Sequence, residues 1–103
     1  MTAYVVIRIK ADDPSLLKDY QTVAPSIIEK YNGKFLVRGG EVVTLEGPEE
    51  PRRIVIIEFP SLEDANKFYH SDEYMSAIEL RKSVAIAEII AVAGVEQPSK
   101  MVL

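Results

Sequence analysis

Over residues 3–10 (AYVVIRIK) the pattern has a period of two: Val5, Ile7 and Ile9 fall on one side, Tyr4, Val6 and Arg8 on the other. Such alternation among β-branched residues predicts a strand. The period then lengthens. Leu16, Leu17, Tyr20, Val23, Ala24, Ile27, Ile28 and Tyr31 recur in steps of three and four, which is one face of a helix. Asp13 suits its N-cap and Pro14 its first position. Pro25 lies inside the stripe and predicts a kink or brief break, and Asn32-Gly33 predicts the stop. A second strand is expected over 34–38, resuming at 41–46 (EVVTLE) after Gly39-Gly40, and a third over 53–59. Ser61, with an acid three residues on, opens a second helix with Leu62, Ala65, Phe68 and Tyr69 on its buried side. Ser71-Asp72 restarts it, followed by Tyr74, Ala77, Ile78 and Arg81. The last strand is expected over 85–93, ended by Gly94.

Strand–helix–strand–strand–helix–strand is the ferredoxin-like order: an α+β fold, with an antiparallel sheet and two helices on one face. The expected single domain has a core over 1–94 and a tail over 95–103. In the first and third strands the fully apolar sets, Val5/Ile7/Ile9 and Val55/Ile57/Phe59, should face the helices. The other face still carries Val6, Ile54, Ile56, Ile86 and Ile90, where an open sheet face is normally polar. A second copy of the same sheet is the simplest cover, so a homodimer is expected, with Arg8, Glu58, Ile54, Ile56 and Ile90 at its interface. Arg8 and Glu58, in phase on neighbouring strands, are expected to pair; Glu88 is a further carboxylate for an arginine.

Composition narrows the function classes. One domain of 103 residues, 48% apolar, is long enough for one core. A net charge of −4 argues against nucleic acid and anionic membrane as partners. The absence of cysteine removes disulfides, thiolate metal sites and cysteine nucleophiles. With no leader-like or membrane-spanning run, a cytoplasmic protein is expected.

The stretches KYNGKFLVRGGEVVTLEG, IVIIEFPSLEDANKFYHSDEYMSAIELR and AIAEIIAVAGV resemble the family called domain of unknown function 1330, over nearly the whole chain. That resemblance implies a ferredoxin-like subunit pairing sheet to sheet into a dimeric α/β barrel. It implies no assigned reaction. The wider superfamily includes cofactor-free monooxygenases acting on aromatic polyketides, muconolactone isomerase, haem enzymes and plain binding or stress proteins.

The candidate chemistry is narrow. His70 is the only histidine, which excludes multi-histidine metal motifs, and no metal site is expected. No resident cofactor is expected either; an axial haem contact through His70 is the less favoured alternative to an exposed helix-end histidine. There is no G-x-S-x-G elbow, and Gly39-Gly40 lacks the spacing of a phosphate loop. The third strand, RIVIIEF, lacks the basic-glycine-aromatic signature of the RNA-recognition module. Arg38 beside two glycines is the singular feature. One reading has Gly39-Gly40 bend the strand and aim Arg38 into a pocket, where its planar fork would hold a small organic acid or phenolate, with Tyr20, Tyr69 and Tyr74 as further ligand contacts. Arg38, Tyr20 and Glu58 are then the catalytic candidates. The competing reading places Arg38 in an interface charge network with Glu58 or Glu88. Function follows suit: a small-molecule-binding dimer, with cofactor-free monooxygenase- or isomerase-like chemistry as one outcome, or a non-catalytic stress or interaction protein.

Overall fold

The β-branched run expected first is strand β1 (Ala3–Ala11), and it lies inside the sheet. It pairs antiparallel with β3 (Arg53–Phe59) on one side and β4 (Ala85–Ala93) on the other, and β2 (Lys34–Arg38) adds to the outer side of β3. The order β2-β3-β1-β4 is the ferredoxin-like one. The computed structural model describes residues 1–95, so of the tail expected over 95–103 only Val95 falls among the described residues. Helices α1 (Lys18–Lys30), α2 (Leu62–Tyr69) and α3 (Asp72–Glu79) complete the chain. Leu17, Ala24, Ile28, Ala65, Phe68, Tyr74 and Ala77 form one core with Val5, Ile7, Ile9, Val55, Ile57 and Phe59 of the sheet. The alternation therefore assigns the faces as expected: the all-apolar sets lie under the helices.

Local chemistry accounts for the helix ends. Ser61 accepts from the Asp64 amide and Ser71 from that of Tyr74, capping α2 and α3. Asp13 accepts from the Ser15 amide at 3.0 Å and caps the 3-10 turn that leads through Leu17 into α1, which has no side-chain cap of its own. The restart at Ser71 is a true break, which turns the expected second helix into two. At the end of α1, Asn32 takes the left-handed conformation (φ 66°) and the Gly33 amide reaches back to the Ile28 carbonyl at 2.8 Å. A Cβ on Gly33 would stand 2.6 Å from Ile28 and 2.8 Å from Phe59, so glycine is required by close packing.

Four expectations need correction. Pro25 neither breaks nor restarts α1, which runs through it; Ala24 and Ile28 on either side are both buried, and packing outweighs one lost hydrogen bond. The irregularity lies earlier, in a 3-10 turn over Pro14–Leu17. Leu16, Val23 and Leu62, placed on buried faces by periodicity, are exposed. Residues 41–46 form no strand: Gly39 (φ 73°) turns the chain off the sheet, and Val43 and Leu45 are left exposed. Finally, Arg8 and Glu58 are not partners. Antiparallel register sets Glu58 against Tyr4, and Arg8 against Ile54 and Glu88, four residues away. Glu58 lies 3.9 Å from Lys34 instead, and Arg8 lies 3.8 Å from Glu50.

Candidate functional site

A pocket opens between α1 and the helix-side face of the sheet. Ile7, Ile9, Leu17, Ala24, Ile28, Val55 and Ile57 make it apolar, and Tyr20, Gln21, Arg38 and Arg53 supply its polar groups. Its volume is about 490 Å³ out to the mouth, of which about 40 Å³ admits the centre of a water molecule. One water needs roughly 10–15 Å³ on that second measure, so the interior has room for a few waters or a small ligand.

Arg38 reaches this face because β2 carries a bulge. Phe35 stands opposite Ile57, Val37 opposite Ile56 and Arg38 opposite Val55, with the register shifting between Phe35 and Val37. Strict alternation would have put Arg38 with Leu36, on the face away from the helices; the extra residue turns it to the side of Phe35. There its guanidinium lies over the Phe35 ring, 4.4 Å from the centroid. The re-aiming device is thus Leu36, three residues upstream of the glycines. Gly39 has a separate duty: its amide donates to the Ile54 carbonyl at 2.9 Å, and a Cβ there would stand 2.3 Å from the Arg53 guanidinium. Gly40 has no atom that would meet a Cβ within 4 Å.

Tyr20 projects from α1 at the pocket wall, and its hydroxyl lies 2.6 Å from that of Tyr74 on α3. Tyr74 is wholly buried and packs on Phe68, with ring centroids 4.3 Å apart. Arg81, just past α3, is 5% exposed, and its guanidinium stands 5.1 Å from the centroid of Tyr20. Burial, followed by the neighbouring Tyr74, pushes the Tyr20 hydroxyl above the ordinary phenol range; Arg81 acts in the opposite sense.

Among the residues singled out from sequence, then, Arg38 and Tyr20 share the pocket, and Tyr74 stands behind Tyr20 without lining it. Tyr69 is elsewhere, in a shallow groove with His70, Asn66 and Ile89 between α2 and β4. His70 lies edge-on to Tyr69, and its Nδ1 is 3.1 Å from the Asn66 carbonyl, a contact at the end of its own helix. Glu58 is on the opposite face of the sheet from the pocket, between the buried Ile57 and Phe59. Sequence reasoning missed Arg53 and Arg81 as site residues. The signals were present: Arg53 shares the phase of Val55, Ile57 and Phe59, and Arg81 follows Tyr74 by seven residues on one helical face.

Charge is distributed unequally between the two faces. On the open face Arg52 binds Glu50 (2.8 Å) and Glu88, and Arg8 approaches Glu50. The Glu50 carboxyl is held down at about 2, chiefly by the Arg52 hydrogen bond. On the helix side Arg38, Arg53 and Arg81 form no ion pair among the described residues. No group of three potential metal-ligating side chains converges among the described residues. No helix among them is long and apolar enough to cross a membrane.

A four-stranded antiparallel sheet in the order β2-β3-β1-β4 with its helices on one face is a ferredoxin-like α+β fold. The chain belongs to the family described as Domain of unknown function (DUF1330), whose model matches residues 2–95. Its fold is similar to that of the RPA0582 protein of unknown function from Rhodopseudomonas palustris (TM-score 0.71, 18% identity, covering 93% of this chain and 84% of that one). It is also similar to SnoaB, a cofactor-independent oxygenase from Streptomyces nogalater (0.66, 8%, 96% and 98%). A third is a dimeric protein of unknown function and ferredoxin-like fold from Bacteroides fragilis (0.59, 14%, 87% and 93%). At these identities the likeness is one of fold. No curated protein matches the chain.

Proposed function

We propose that this protein is a homodimer that binds a small organic anion in the pocket between α1 and the sheet. One observation carries the reading. In a chain with 16 acidic and 12 basic residues, Arg38 and Arg53 both edge an apolar pocket with no carboxylate partner among the described residues. Carboxylates are in excess, and the open-face arginines have them. The pocket arginines are left to an anion from solution, which a guanidinium binds through two parallel hydrogen bonds. Apolar walls and a single polar edge fit an acid with a flat or aliphatic body. If the ligand reacts, the same groups supply chemistry of the isomerase or cofactor-free oxygenase kind, by stabilising negative charge that develops on an oxygen.

The dimer half of the proposal rests on the open face. Val37, Ile56, Val6 and Ile90 form one apolar row across all four strands. Lys34, Glu58 and Tyr4 border it on one side, and Ile54, Arg8 and Glu88 on the other. Ile90 is 59% exposed and Ile86 79%. An apolar strip with a rim of charge is the anatomy of an interface, and a second copy offers the same strip. The test is a titration of the protein with benzoate, followed by melting temperature, since a ligand that binds only the folded state must raise it. A saturable rise that is largely lost in Arg38→Lys supports the reading; no rise with benzoate or with small aliphatic acids overturns it.

A further inference from the structure

The buried end of the pocket carries a hydrogen-bond polarity that fixes what the other end of the ligand must offer. Arg81 is almost fully buried, its Nε has no hydrogen-bond partner and it has no carboxylate partner among the described residues. A buried charge without a counter-charge is costly, and an apolar side chain at the same place would serve packing better. The Arg81 guanidinium stands 5.1 Å from the centroid of the Tyr20 ring, whose hydroxyl lies 2.6 Å from that of Tyr74.

The donors can be counted. Arginine only donates, so toward Arg81 both phenol oxygens act as acceptors. Between the phenols one proton is shared, and either could in principle give it. If Tyr20 donated to Tyr74, the Tyr74 proton would need another acceptor. Tyr74 is 0% exposed and has no other side-chain hydrogen-bond acceptor among the described residues, so its proton would be buried unsatisfied. If Tyr74 donates to Tyr20, the buried Tyr74 hydroxyl is satisfied, and the proton left over belongs to Tyr20, the one of the two that lines the pocket.

We infer that Tyr74 donates to Tyr20 and leaves the Tyr20 O–H to the pocket, and that the ligand is therefore an oxo-acid, its carboxylate at Arg38 and Arg53 and its carbonyl oxygen at Tyr20. This rests on the anion-pocket reading and deepens it. Hydrogen bonds in series polarise one another, so accepting from Tyr74 makes Tyr20 a stronger donor than an isolated phenol. Its ionisation is also pushed upward by burial, which keeps the proton in place across the neutral range. Tyr20 and Tyr74 thus have distinct parts: Tyr20 touches the ligand, and Tyr74 positions and polarises it.

The test compares matched acids that differ only in the carbonyl: 4-formylbenzoate against 4-methylbenzoate, and 4-oxopentanoate against pentanoate. Dissociation constants are measured for the wild-type protein, Tyr20→Phe, Tyr74→Phe and Arg38→Lys. At least one oxo-acid should bind wild type about 10-fold tighter than its partner, the net contribution of one hydrogen bond. The ratio should fall to about one in Tyr20→Phe and drop part of the way in Tyr74→Phe, whereas Arg38→Lys should weaken both members of a pair alike. The infrared carbonyl band of the bound oxo-acid should move to lower wavenumber in wild type, a readout that does not depend on any variant folding. Equal affinities within every pair, or an unshifted carbonyl band, overturn this inference and leave the anion pocket standing. If no acid of either kind binds, the pocket reading itself fails.

Discussion

The two faces of this sheet are made from the same strands, yet they treat arginine in opposite ways. On the open face Arg8 and Arg52 sit among Glu50 and Glu88, so charge is neutralised within the subunit and the apolar row between charges is free to meet a second copy. On the helix side Arg38 and Arg53 look into an apolar pocket with no such partner among the described residues, and Arg81 is buried behind it among phenols. Pairing keeps a charge quiet; leaving it unpaired beside an apolar space creates demand for an anion. The difference is set by one bulged residue in β2, which moves Arg38 from the first face to the second.

Breaking the open face should have the largest effect. Ile90→Asp places a charge at the β4 end of the apolar row, at a position too exposed to disturb the isolated subunit. Desolvating an unpaired carboxylate costs several kcal/mol, so the dimer should weaken by at least about 100-fold. Light scattering at low micromolar concentration should show half the wild-type mass; an unchanged mass removes the dimer from the account.

The glycine pair sharpens the comparison next. Gly39→Ala puts a side chain in the left-handed region and into the Arg53 guanidinium, and should cost about 1–2 kcal/mol in denaturant unfolding. Gly40→Ala meets nothing and should stay within about 0.5 kcal/mol of wild type. Equal losses would mean that the turn, rather than the crowding at Arg53, sets the requirement.

A smaller effect separates the arginines themselves. Glu50 titrates at about 2 in the folded chain, below its unfolded value of roughly 4.5, so its contribution to stability is complete above about pH 4.5 and is lost as pH falls toward 2. Glu50→Gln should flatten this acid limb of the melting curve and leave benzoate affinity unchanged. A loss of binding in this variant would link the two faces, contrary to the account.

Much of this was legible in the chain. The spans of β2, β3 and β4 and the serine and aspartate caps follow from alternation and from groups that need a partner at a known offset, all of them local. The failures are non-local. Arg8 and Glu58 have the right phase, but phase does not say which ends of antiparallel neighbours coincide, and the observed register separates them. Residues 41–46 have strand-forming side chains and no neighbouring strand to receive them in the single subunit. Pro25 is tolerated because Ala24 and Ile28 anchor both sides of it. At the site, Arg38 was singled out for standing beside glycines, yet the device that aims it is the unmarked Leu36 step. Arg81 was hidden because a buried cation at helical spacing looks, in one dimension, like an exposed one. Tyr69 was grouped with Tyr20 and Tyr74 on residue type alone; it packs on Tyr74, with ring centroids 5.7 Å apart, but opens to the groove beside β4 and not to the pocket.

The most direct test reads all five arginines at once. In protein labelled with nitrogen-15 at arginine, the Nε–H signals of Arg8, Arg38, Arg52, Arg53 and Arg81 are assigned by single lysine substitutions and followed while benzoate is added. The account predicts saturable shifts at Arg38 and Arg53 with a common dissociation constant, and stationary signals at Arg8 and Arg52. Shifts confined to the open-face pair, or none that saturate at Arg38, would contradict it.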